Sequence, residues 1–126
     1  MKDAVSNVKA VQAIVPAVKT AASDGATIDT QGFRSLLFVA NTGDVVGDGD
    51  FGLKVQDSAD GTDWADADAK NVQDDAPATL EGSTAYRIGY TGGKRYVRLA
   101  ITRESGTSIA LSAVAILGHP AIAPVA

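Results

Sequence analysis

A chain of 126 residues without cysteine is sized for one domain, and it excludes disulfides and thiolate metal sites. A hydrophobic content of 45% is that of a folded globular protein, not a disordered one. The net charge of -4 argues against a general nucleic-acid binder, and no run approaches the roughly 20 apolar residues that span a bilayer.

Residues 1–22 carry two patterns. Ala4, Val8, Val11, Val15 and Val18 have helical spacing, while Val11, Ala13 and Val15 alternate as a strand does. The valine content and Pro16 favour an extended arm or an edge strand, where one amide hydrogen can be spared. Lys9, Gln12 and Pro16 interrupt the run from Val8 to Val18, so it makes a poor signal-peptide core.

Residues 23–118 are expected to form a β core. Ala26 to Thr30 is a short strand after the Asp24-Gly25 turn. Ser35 to Ala40 is apolar on both faces, as in a central strand covered on both sides. Phe51, Leu53 and Val55 alternate with Gly52, Lys54 and Gln56, which predicts a strand with one wet face. The polar stretch from Asp66 to Thr79 reads as a long loop. Thr84 to Tyr90 is a strand with Tyr86, Ile88 and Tyr90 on one face. Thr91-Gly92-Gly93-Lys94 is a hairpin signal, since glycine supplies the positive φ of tight turns. Arg95 to Thr102 returns with Val97, Leu99 and Ile101 inward and Arg98 outward, beside Tyr96. Ser108 to Leu117 is the last strand, and residues 119–126 read as an extended tail. Short strands with turns between them predict a single all-β domain over 1–126, an antiparallel sandwich or barrel.

Charge is unevenly placed. Ten of the thirteen aspartates lie between Asp44 and Asp75, whereas Arg87, Lys94, Arg95, Arg98 and Arg103 follow with no acid among them. Two readings stay open. These are solvated faces of ordinary charge, or acidic loops of one protomer meet the basic strands of the next.

Little in the sequence suggests catalysis. The one histidine, His119, sits in a Gly-His-Pro turn, and no nucleophile elbow or phosphate loop is present. Calcium takes oxygen ligands, which makes Asp44, Asp48 and Asp50 candidates, with Asp57, Asp60 and Asp63 a second group. Neither group has the EF-hand spacing, and aspartate in glycine-rich turns ordinarily serves the turn. No cofactor is expected, and an enzyme is not.

The stretch Phe51 to Trp64, Phe-Gly-Leu-Lys-Val-Gln-Asp-Ser-Ala-Asp-Gly-Thr-Asp-Trp, resembles a strand, turn and aromatic unit of several β-sandwich families, discoidin-like carbohydrate and lipid binders among them. A second set is more telling. Tyr86 to Thr102, then Ile-Leu-Gly-His-Pro at 116–120, resemble a family of small virion proteins of tailed phages and prophages. Val-Lys-Ala-Val-Gln-Ala-Ile-Val-Pro at 8–16 and Asp-Thr-Gln-Gly-Phe at 29–33 resemble it too. The resemblance implies a head decoration protein made in the host cytoplasm and carried on the virion head. It implies contact with the major capsid protein and sister protomers, as a homo-oligomer, a trimer by the pattern of such proteins. A head–tail connector or tail component, and a carbohydrate-binding adhesin using Trp64, are the alternatives. Contact candidates are Val8, Val11, Ile14 and Val15 in the arm, with Arg87, Arg95, Arg98 and Trp64 on the sheets. Neither nucleic acid nor membrane is an expected partner.

Overall fold

The computed structural model describes residues 1–125. A 3-10 turn at Val5–Asn7 precedes strand β1 (Lys9–Lys19). Then come β2 (Ser23–Asp24), β3 (Ile28–Asp29), β4 (Phe33–Val46), β5 (Asp50–Ser58) and β6 (Ala65–Asp66). After a second 3-10 turn, Ala69–Asn71, follow β7 (Val72–Asp74), β8 (Ala85–Tyr90), β9 (Tyr96–Ser105) and β10 (Ser108–Pro120).

The strands build two antiparallel sheets, as their alternation predicts. The first has the order β1-β10-β4-β8-β7, and the second β2-β9-β5-β6, with β3 also on β9. Period-two alternation gives each strand one core face. Leu36, Phe38 and Ala40 of β4 point inward with Tyr86, Ile88 and Tyr90 of β8. From the other sheet Phe51, Val55, Val97, Leu99 and Ile101 meet them, and β10 adds Ile109, Leu111, Ala113, Ala115 and Leu117.

Segment 1–22 contributes an edge strand. β1 pairs along β10, with register shifts on either side of Ile14 that place Pro16 in an irregular stretch where a missing amide costs no ladder bond. The next turn stitches the sheets together. The Ala26 amide donates to the Ala13 carbonyl of β1, and the Gly25 amide to the Leu99 carbonyl of β9.

Three expectations are corrected. Thr91–Lys94 is no hairpin, because β8 lies in the first sheet and β9 in the second. The glycines serve a crossover that wraps the Tyr90 hydroxyl, which accepts the Lys94 amide at 3.2 Å. A Cβ at Gly92 would collide with that hydroxyl. The stretch 66–79 is not all loop. Residues 72–74 form β7 by main-chain pairing with β8, an edge strand in which Val72 alone packs against the core. The tail does not run straight on either. Residues 121–124 bend, and the Val125 amide donates to the Ser6 carbonyl, so the described ends meet.

Candidate interaction surface

The outer face of the first sheet is laid out by register. Ile116 on β10, Leu37 on β4 and Gly89 on β8 form one cross-strand row. Val114, Val39 and Arg87 form another, two residues further along each strand. Leu37, Val39 and Ile116 are half-buried and Val114 is 39% exposed, so an apolar patch lies open to solvent. Two shallow grooves meet at Leu37. One, of about 410 Å³, runs past Val8, Ile116 and Pro120. The other, of about 350 Å³, lies over Gly89 and is bounded by Gln73, Asp74, Asp75 and Arg87. Arg87 is tied at its rim, its Nε donating to Asp75 at 3.1 Å.

The outer face of the second sheet is polar and internally paired. Arg98 stacks over the Trp64 indole, 4.3 Å from its centroid. Its Nε donates to Gln56 at 2.9 Å, and Asp24 stands 3.4 Å from its Nη2. Lys54 pairs with Asp66 at 3.1 Å. Tyr96 covers the Asp60-Gly61 turn, since a Cβ at Gly61 would lie 3.5 Å from the Tyr96 ring. Arg98→Ala is expected to expose the indole, shift Trp64 emission to the red and cost about 1 kcal/mol or somewhat more. Fluorescence-detected urea unfolding reads both effects, and an unmoved emission maximum would remove the stacking argument.

Asp29 and Arg95 form a bidentate pair at 2.9 and 2.8 Å. The hydrogen bonds from Arg95 hold the Asp29 carboxyl down at about 2. A depressed carboxylate stabilises the fold above its unfolded value near 3.8 and loses that contribution as pH falls through about 2. Asp29→Asn should therefore flatten part of the acid limb of a stability-versus-pH curve, which thermal melts at pH steps would show. The pair is half-exposed, so the effect is small.

The candidate residues separate on folding. Val8 lines the groove, Val11 packs partly against the core and Val15 is 62% exposed. Ile14 is only 4% exposed, so the expectation that it offers its side chain to a partner is corrected. The register shift between Gln12 and Ile14 turns both Ala13 and Ile14 inward. Arg87, Arg95 and Arg98 each hold a carboxylate of their own chain. Of the acidic stretch 44–75, Asp75 pairs with these strands through Arg87, while Arg95 and Arg98 take Asp29 and Asp24 from outside it.

Asp44, Asp48 and Asp50 do not assemble. Among the described residues no three acidic or imidazole groups converge as a metal site. Asp50 accepts from Thr79, and Asp57 from Tyr90. Asp60 accepts the Thr62 and Asp63 amides, turn bonds that hold its carboxyl at about 2. His119 Nδ1 lies 2.9 Å from the Ser35 hydroxyl at the groove edge. Among the described residues, no helix is long and apolar enough to cross a membrane.

The apolar patch itself was not among the contact candidates, although one signal for it was present. The doubly apolar Ser35–Ala40 run predicts cover on both faces, and the chain supplies it on one.

No protein-family model matches the chain, and no curated protein matches it. A solved structure does. The fold is similar to that of a prophage-derived protein. The crystal structure of SPBc2 prophage-derived protein YomS superposes with a TM-score of 0.57 at 13% identity, covering 88% of this chain and 92% of that one. Identity this low speaks to the fold alone.

Proposed function

We propose that the chain is a non-enzymatic structural protein of a tailed-phage particle, and within the particle a head decoration protein. The observation that carries the reading is the fold shared, nearly end to end, with a prophage-derived protein. The sequence resemblance to small virion proteins points the same way. The surface suits such a role, because it offers an apolar face and a paired polar face, features that work by burial and shape. Decoration stabilises a head by spreading contact over neighbouring capsid subunits, which requires many weak copies and no chemistry.

The test is sedimentation of the purified protein with heads of its own phage that lack it, counting bound copies against the major capsid protein. Saturation at a fixed lattice ratio is the expected result. A handful of copies per particle would transfer the protein to the head–tail junction or the tail. Absence of binding to any part of the particle would overturn the virion reading.

A further inference from the structure

We propose that the outer face of the first sheet is the interface of a two-fold homodimer, built around Leu37. This goes beyond the virion reading and does not rest on it.

The first argument is unbalanced burial. β4 and β10 carry apolar side chains on both faces, the pattern of strands covered on two sides. The second sheet covers only the inward set, Leu36, Phe38, Ala113, Ala115 and Leu117 among them. Leu37, Val39, Val114 and Ile116 stay partly in water, side by side in register. A contiguous apolar patch ringed by polar groups marks a binding surface.

Gly89 is the independent observation. It is the next-to-last residue of β8 and is paired on both flanks, with Leu37 and Gln73, where glycine weakens the sheet. Its φ is not among the positive ones, and a Cβ built there would meet the Gln73 carbonyl at 3.4 Å, an ordinary contact. Neither the backbone nor the chain's own packing demands glycine at this place. Such a strand glycine marks close approach by something else.

The occupant follows from the register. In the row Ile116–Leu37–Gly89, β4 is the middle strand, with a protruding side chain on one flank and a hollow on the other. A two-fold axis along β4 brings a second copy face to face. Leu37 then meets Leu37, and each Ile116 enters the hollow over the other copy's Gly89. In the next row Val114 meets the stem of Arg87, whose guanidinium is already held at the rim by Asp75. The charges lie on the rim and the centre is uncharged, so neither an acidic nor a basic partner is selected, whereas the patch is complementary to itself. The size is sufficient. With β1, β4 and β10 counted over eight residues, β8 over its 6 and β7 over its 3, strands about 4.8 Å apart at about 3.3 Å per residue give roughly 500 Å² per copy, or about 1,000 Å² in total, the lower bound of specific interfaces.

The natural chain has no cysteine, which makes the test direct. Sedimentation velocity should give a dimer for the natural protein. Leu37→Cys should be joined into a covalent dimer by a short bis-maleimide, since face-to-face sheets lie about 10 Å apart, beyond direct disulfide reach, while Val15→Cys on the β1 edge should not. Ile116→Lys and Gly89→Leu should each sediment as monomers with unchanged Trp64 emission. Gly89→Leu adds its side chain outward and keeps the test valid if Ile116→Lys fails to fold. A monomeric natural protein, a trimer, or a dimer trapped at Val15 and not at Leu37 would overturn the proposal. A monomer that still saturates heads would leave the virion reading standing, and a dimer that ignores them would leave this one.

Discussion

Gly25→Ala is expected to destabilise the domain by about 3 kcal/mol, from overpacking and two weakened main-chain hydrogen bonds. A Cβ at residue 25 would lie 2.6 Å from the Ala13 carbonyl oxygen and 2.7 Å from that of Leu99. Both obstacles are backbone, one in each sheet, so no side chain can rotate aside. Relief requires the β1 edge to move away from β9, which stretches the Gly25 and Ala26 bonds that close this seam. In a domain whose whole stability is about 5–15 kcal/mol, such a loss should lower the melting temperature by roughly 10 °C. Urea unfolding followed through the single tryptophan, Trp64, measures it. A change below about 1 kcal/mol would mean the seam is soft and β1 only loosely docked.

Tyr90→Phe is expected to cost about 2–4 kcal/mol, through a different mechanism. The Tyr90 hydroxyl donates to Asp57 at 2.8 Å and accepts the Lys94 amide at 3.2 Å. Asp57 is 6% exposed, so removing its donor leaves a carboxylate shielded from water without that partner. The crossover from β8 to β9 loses its anchor at the same time. A pH dependence identifies the group. Burial, reinforced by the neighbouring Asp57 carboxylate, raises the Tyr90 phenol from 10.0 to about 12. The neutral phenol therefore stabilises the fold fully below pH 10, and the contribution fades as pH climbs toward about 12. Two units correspond to roughly 2–3 kcal/mol. The natural protein should lose about that much across the window, and Tyr90→Phe should lose markedly less. Parallel slopes for the two proteins would show that the alkaline loss comes from elsewhere.

Alternation made the sandwich legible. The inward sets of β5, β8, β9 and β10 follow from period two, which depends only on local backbone geometry. Sheet membership did not follow, because Thr91–Lys94 has the composition of a hairpin and the geometry of a crossover. What decides between them is the Tyr90 hydroxyl held by Asp57, a contact 33 residues apart in sequence. β7 was hidden for a related reason. It offers one apolar residue, Val72, between polar ones, too little for an alternating pattern, and its strand character comes from main-chain bonds to β8. A one-dimensional charge count cannot show that Asp24, Asp29 and Asp75 fold onto Arg98, Arg95 and Arg87. The apolar patch was half legible, in that Leu37 and Val39 advertised a second cover without saying that the chain would not provide it.

The strand order of the first sheet also bears on synthesis. Its first strand in sequence, β1, pairs with the last, β10, and β10 in turn separates it from β4. A nascent chain that has emerged only through β9 thus has neither β1 nor one side of β4 paired in that sheet. Closure of the domain must wait for residues 108–120 to leave the ribosome. Folding is then dominated by distant pairings and slow. During that interval the valine-rich first strand is exposed to other chains, and Pro16 within it is well placed to discourage mispairing before its true neighbour arrives.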